Sequence, residues 1–201
     1  MSLVDLLRSA LSERRPGTPE LIGGDVLEGD EPGGPGPVTP AAVLVAVVDR
    51  PEPTVLLTLR PETMRKHPGQ VSFPGGRIDP EDDGPIEAAL REAQEEIGLS
   101  PAEVEIIGLA DRYRTVTGFE VTPVVGLVPP DLPLKPNPHE VADLFEAPLR
   151  HLLDPARQMM RSAVWRGRER HYYEIDYEGR RIWGATAAMI VNLTRRLEPA
   201  T

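Results

Sequence analysis

A glycine pair followed by a helix with three glutamates on one side most narrows the folds open to this chain of 201 residues. Phe73-Pro74-Gly75-Gly76-Arg77-Ile78-Asp79 ends a short extended segment. An acidic loop comes next, and Arg91-Glu92-Ala93-Gln94-Glu95-Glu96-Ile97-Gly98-Leu99 completes the stretch. Asp83, Gly84 and Pro85 carry helix-start signals, and Gly98 followed by Pro101 carries stop signals, so a helix of about three turns is predicted between them. Wound at about 100° per residue, it gathers Ile86, Leu90, Ala93 and Ile97 on a core-facing side and Glu92, Glu95 and Glu96 within an arc of about 100°. Three carboxylates so placed repel one another, and a hard divalent cation such as Mg²⁺ or Mn²⁺ would turn that repulsion into ligation. The alternative is a solvated acidic face, which helices commonly carry. The glycine pair favours a site, because it lets backbone approach a ligand closely beside the helix.

Gly76, an acidic loop residue, and then Arg91-Glu92-Ala93-x-Glu95-Glu96-x-Gly98-Leu99 resemble the signature of the Nudix family. That family consists of metal-dependent hydrolases of diphosphates linked to another group. The second half of the signature matches at every defined position. In the first half, Asp82 stands where the family places a glutamate, and the interval to Arg91 is one residue longer. Either Asp82 or Asp83 can fill the acidic position. The resemblance implies an α/β fold, an α/β/α sandwich with a mixed central sheet, covering roughly 41–197. It implies Mg²⁺ or Mn²⁺ held by Glu92, Glu96 and Glu95, and Gly75 and Gly76 shaping the turn beside the metal. Arg91 is expected to orient the neighbouring glutamates by ion pairing.

Around that stretch the chain reads as one domain with an N-terminal extension. Leu3, Leu7 and Leu11, with Leu6 and Ala10, repeat at helical spacing. The segment from Pro16 to Pro40 is dense in glycine and proline and reads as a linker, which makes 1–40 an appendage to 41–197. Ala41–Val48 is a continuous valine-rich run, expected to be a strand buried on both faces, with a return strand at 55–59. Further strands are expected at 104–110, 119–127, 141–145, 159–165, 172–177 and near Arg181-Ile182-Trp183. A last helix is expected at 187–197 with Ile190, Leu193 and Leu197 inward. A charged turn is read at 166–170, within a group of five arginines at 157, 161, 166, 168 and 170. Trp183 reads as core, with stacking on adenine as the other reading.

The loop Arg60–Gly69 keeps neither helix nor strand period and carries Arg60, Arg65, Lys66 and His67. In a chain with net charge −10, such a loop leading to the glycine pair can contact phosphate; equally, its arginines can pair with the acidic loop at 79–83. Leu56-Leu57-Thr58-x-Arg60, then Arg65, Gly69 and Phe73-Pro74-Gly75-Gly76 are similar to the additional motif of coenzyme A diphosphatases, a Nudix subgroup. Pro61 departs from the small residue usual at its position. The resemblance implies that Arg60, Arg65 and Gly69 belong to recognition of coenzyme A.

Beyond the helix, Asn137-Pro138-His139-Glu140 forms a turn ahead of the expected strand at 141–145. By resemblance Glu140 is a base or metal candidate, against the alternative of an exposed glutamate at a strand start. Glu95 and Glu140 are thus both candidates for the general base. The acidic balance argues against non-specific nucleic-acid binding. No apolar run reaches the length of a membrane span, the first residues lack the pattern of a signal peptide, and the absence of cysteine fits a reducing compartment, so a cytoplasmic protein is expected. The expected activity is cleavage of coenzyme A and its derivatives to 3′,5′-ADP and 4′-phosphopantetheine, by a homodimer as the resemblance implies. Two alternatives stay open. One is another nucleoside diphosphate derivative such as ADP-ribose; the other is a non-catalytic binding module.

Overall fold

The computed structural model describes residues 2–12, 38–64, 67–115, 117–165 and 168–197. Of the expected linker at 16–40, residues 16–37 lie outside the described residues, as do Arg65, Lys66 and Arg166, while Thr39 and Pro40 belong to the first strand of the sheet.

The apolar run at the start of the domain forms β1 (Thr39–Val48), the middle of the sheet. Its side chains divide by parity. Ala41, Val45 and Val47 enter one core, and Ala42, Leu44, Ala46 and Val48 enter the other. A strand covered on both faces has no polar side to show, which is why its sequence does not alternate. It pairs in parallel over its whole length with β7 (Phe119–Val128), from Thr39 opposite Phe119 to Val48 opposite Val128. On its other edge it meets β2 (Thr54–Leu59) in an antiparallel hairpin and, further back, β4 (Gly75–Arg77). The sheet is completed by β3 (Val71–Ser72) and β8 (Asp143–Pro148) on β2, and by β5 (Glu105–Leu109) and β6 (Tyr113–Arg114) on β7. The result is a mixed sheet of eight strands among the described residues.

Helices cover both faces. The glutamate-bearing helix, α2 (Pro85–Ile97), lies on the side of Ala42, Leu44 and Val124. The opposite side is covered by α1 (Leu3–Ser12), the single turn α3 (Leu149–Leu152) and α4 (Ala185–Leu197). The chain is therefore an α/β/α sandwich. A second, three-stranded sheet, β9 (Met159–Trp165), β10 (Arg168–Tyr177) and β11 (Arg180–Trp183), adjoins β3 and α4.

The amphipathic stripe of α1 packs into the core under α4. Leu7 is fully buried and Leu11 nearly so. Arg8 pairs with Glu105 on β5 at 2.6 Å, and Arg196 on α4 donates to the Ala10 carbonyl at 3.0 Å. Burying Leu7 contributes roughly 2 kcal/mol.

Several local expectations shift. The strand expected from Val141 begins at Asp143, because Asn137 holds Val141 in a turn through a bond of 2.8 Å from the Val141 N–H to its carbonyl. β10 starts at Arg168, so the strands reach into the expected charged turn. Ile86 is 39% exposed although its azimuth on α2 matches that of Ala93. It sits in the first turn, about 10 Å along the axis from Ala93, and lines an outer groove with Leu90 and Pro101 where no strand covers it. Ala88 and Ala89 are buried instead. Trp183 is only partly buried. No described helix is long and apolar enough to cross a membrane.

Candidate active site

Helix α2 starts without a side-chain cap: Gly84 is its N-cap and Pro85 its first residue. At the other end, Gly98 takes the left-handed conformation (φ 69°), and its N–H bonds back to the Gln94 carbonyl at 3.0 Å. Between these ends, the azimuths of the three glutamates set their exposure. Glu96 is next to the core side of the helix and is 3% exposed. Glu92 is one step further round, with a side chain 16% exposed, and Glu95 is outermost at 56%.

The two inner carboxylates meet β4. Glu96 Oε2 accepts the Gly75 N–H at 3.3 Å. Glu92 lies flat on Gly76, where an added Cβ would come within 2.5 Å of the Glu92 carboxyl carbon. At Gly75 (φ +152°) a Cβ would meet the Ala42 carbonyl of β1 at 2.4 Å. Each glycine thus serves a different partner: Gly75 lets β4 close on β1, and Gly76 leaves room for a carboxylate.

Burial pushes the Glu96 carboxyl up to about 7; the Gly75 N–H and the nearby Arg60 charge pull the other way, and Glu92 and Glu140 add to the rise. Glu92 is raised as well, chiefly by burial, against the pull of Arg91. Two desolvated acids side by side form a site that gains from added positive charge.

Arg91 holds the outside of this arrangement. Its guanidinium binds both oxygens of Asp82 at 2.9 Å, the Arg77 carbonyl at 3.0 Å, Glu92 at 2.9 Å and Glu95 at 3.4 Å. Asp82 also accepts the Asp79 N–H at 2.8 Å, and its pairing with Arg91 holds its carboxyl below the usual range. Of the two aspartates, Asp82 is therefore the one tied to the helix, while Asp83 is exposed. The acidic loop spends its charge on Arg91, and no ion pair links it to Arg60 among the described residues.

Arg60 leaves the end of β2 beside Glu96. Its Nε is buried with no hydrogen-bond partner, although its charge acts on Glu96. The loop after it closes tightly: the Arg60 N–H bonds to the Gln70 carbonyl at 3.0 Å and the Gly69 N–H to the Arg60 carbonyl at 3.2 Å. Gly69 thus shapes the loop from which Arg60 projects, and Arg65 lies outside the described residues.

Glu140 arrives on the loop that docks against the C-terminal end of α2 and runs on beside the end of β2, where the Ala142 N–H bonds to the Leu59 carbonyl at 2.8 Å. The last carbonyls of α2 accept N–H groups of the loop that follows β7: Asn137 to Glu96 at 2.8 Å and Lys135 to Ile97 at 2.9 Å. Asn137 Nδ2 then donates to Glu140 Oε1 at 3.2 Å, which keeps that carboxylate within electrostatic range of Glu92 and Glu96. Asn137 is the residue that sequence reasoning missed. Its only signal was the turn-forming Asn-Pro pair. His139 is exposed and its side chain makes no polar contact given by the structure.

Glu92, Glu96 and Glu140 are therefore brought together, and Glu95 is turned outward to Arg91. Among the described residues, no three acids or histidines stand close enough to enclose an ion unaided. The donor set nonetheless suits a hard divalent cation completed by water or substrate oxygens: carboxylate oxygens only, two of them desolvated, and an open glycine wall.

Residues 38–167 match the model of the family described as the NUDIX domain. An uncharacterized Nudix hydrolase, NudL, from Cronobacter sakazakii is 47% identical, the match covering 78% of this chain and 82% of that protein. The protein of the same name from Escherichia coli K12 is 45% identical over the same shares. Among solved structures, a binary complex of a C. elegans Ap4A hydrolase is 20% identical, with a TM-score of 0.48 over 55% of this chain and 80% of that one.

Proposed function

This chain belongs to the NUDIX domain family, and from that premise we propose that it hydrolyses the diphosphate of coenzyme A and its derivatives, giving 3′,5′-ADP and 4′-phosphopantetheine or its acyl form. The observation that carries the reading is the buried Glu96 and the partly buried Glu92 on the glycine wall, with Arg60 beside them, its Nε without a protein partner. An anionic diphosphate supplies the acceptor that Arg60 lacks. The coenzyme A portion is assigned to the Arg60–Gly69 loop through its motif, with Arg65 included on sequence pattern alone.

Glu92 and Glu96 would hold Mg²⁺ or Mn²⁺, with Glu95 able to turn inward from Arg91. When bound, such an ion offsets the diphosphate charge and makes water a stronger nucleophile. The remaining work falls to side chains of the chain itself. Arg91 keeps Glu92 against Gly76 and ties the acidic loop to the helix. Arg60 draws the diphosphate to the inner carboxylates. Water oxygen forms a new bond to one phosphorus, the bridging P–O bond breaks, and the electron pair leaves with the departing phosphate. The water proton passes to a carboxylate. Glu140 is better placed for this than Glu95, because Asn137 fixes it toward Glu92 and Glu96 while Glu95 faces solvent. The resemblance also implies a homodimer, which sedimentation would read as twice the chain mass.

The test is turnover of coenzyme A in Mg²⁺, in Mn²⁺ and in EDTA, with products identified by mass and a parallel panel of ADP-ribose and nucleoside triphosphates. The expected result is metal-dependent release of 3′,5′-ADP from coenzyme A. Preference for ADP-ribose would overturn the substrate, and no cleavage of any diphosphate in either metal would overturn catalysis.

A further inference from the structure

We infer that the solvent-facing side of the β9–β10–β11 sheet, around Trp183, Tyr172 and Arg181, seats the base and outer phosphate of a purine nucleotide. This inference rests on the diphosphate-cleaving reading above and adds where the nucleoside end of the substrate lies.

Register decides which side chains share that face. Ile175 of β10 stands opposite Ile182 of β11, and both are fully buried on the α4 side. Their neighbours Glu174, Arg181 and Trp183 therefore point outward, as does Tyr172 two residues before Glu174. Trp183 and Tyr172 meet edge to face, with centroids 5.7 Å apart and planes at 66°. The Arg181 guanidinium lies 4.8 Å from the Trp183 ring and 5.6 Å from the Tyr172 ring, and donates to the Tyr172 hydroxyl at 2.8 Å. It also pairs with Glu174, which Arg161 approaches at 3.5 Å.

Two aromatic rings braced by one arginine at a surface are a platform for a base, whose π face stacks on rings and guanidinium planes alike. Arg181 and Arg161 share this face with Glu174 and with Asp176, which stands opposite Arg181, so in an acidic chain (net charge −10) it carries two cations able to meet phosphate. The platform is also continuous with the site. Gly184, next to Trp183, packs on Gln70, and Thr186 donates to the Val71 carbonyl at 3.1 Å. Gln70 in turn pairs with Arg60 and lies five residues before Gly75, a span of at most about 17 Å. Tyr172, Arg181 and Trp183 fall beyond the residues 38–167 that match the family model.

The chain has two tryptophans, so full-length Trp165→Phe leaves Trp183 as the sole reporter. In EDTA, adenosine 3′,5′-bisphosphate should quench its emission saturably, and 4′-phosphopantetheine should not. Arg181→Ala should weaken the nucleotide about tenfold and raise KM for coenzyme A with kcat kept, because the contact is remote from the bond that breaks. Trp183→Leu should weaken binding in calorimetry; Arg181, being exposed, gives a variant that does not depend on core packing. A silent Trp183, or unchanged affinity in both variants, overturns the inference. If coenzyme A is not cleaved while adenine nucleotides still quench Trp183, the platform stands and the substrate reading falls. If coenzyme A is cleaved while Trp183 stays silent, the platform alone falls.

Discussion

Replacing Glu96 by glutamine should make the metal-free protein more stable and the enzyme inactive. The side chain keeps its shape, and its amide oxygen can still accept the Gly75 N–H, but the buried charge is gone. The folded state holds the Glu96 proton to about 7 against an ordinary 4.5. Folded protein therefore binds that proton more tightly than unfolded protein, and stability is lost as pH rises from the lower value through the higher one. The gap is worth about 3 kcal/mol once pH exceeds both values. The amide N–H₂ must find an acceptor in a dry site, which reduces the expected gain to about 2 kcal/mol near pH 8. Near pH 5 Glu96 is protonated in the folded protein, and the gain should fall below about 1 kcal/mol. Urea denaturation in EDTA at the two pH values reads this difference. Adding Mg²⁺ should then stabilise the wild type and not Glu96→Gln, because only a ligand that binds the folded state shifts the midpoint. A Glu96→Gln protein less stable than wild type at pH 8 in EDTA, or equally stabilised at both pH values, would refute the claim that Glu96 is a desolvated anion awaiting a cation.

Four further outcomes are expected. Glu140→Gln should lower kcat by roughly 10²- to 10³-fold with a native thermal midpoint, while Glu95→Gln costs less; the reverse order in steady-state assays would make Glu95 the base. Gly76→Ala should leave the fold intact yet abolish turnover and metal-induced stabilisation, since its methyl occupies the place of the Glu92 carboxylate at 2.5 Å; normal metal binding by titration calorimetry would contradict this. Asp82→Asn should cost about 2 kcal/mol in denaturant midpoints by leaving Arg91 half-paired, with a loss of activity through a misplaced Glu92 rather than through substrate contact. Leu7→Ala should cost about 2–4 kcal/mol, and a change below about 0.5 kcal/mol would mean that α1 is not part of the folded core in solution.

The helix was legible because its ends and its two faces are local properties. Proline at the start and glycine at the end bound it, and the spacing of Glu92, Glu95 and Glu96 puts them within one arc whatever lies opposite. The same holds for β1, whose unbroken apolar run announces cover on both faces. Ile86 and Trp183 were misjudged for a shared reason. Azimuth and hydrophobicity say which way a side chain points, but whether another element reaches that far along the axis or edge depends on the lengths of the neighbours. Asn137 left almost no trace, since its N–H bonds a carbonyl of α2, that of Glu96, which comes near only after folding.

Residue type and spacing along the chain were enough for a strand at β1 covered on both faces, a carboxylate helix and a glycine turn before it, because each rests on contacts within a few residues; the sandwich itself was implied by the Nudix resemblance. Which carboxylate is dry, which aspartate grips Arg91, and that Arg60 and Glu140 converge on the same acids were settled only by the packing of α2 against β4 and of the 132–140 loop against the helix end. Desolvation is the reason: a pKa and an unpartnered guanidinium nitrogen are properties of surroundings contributed by distant segments, and no local pattern encodes them.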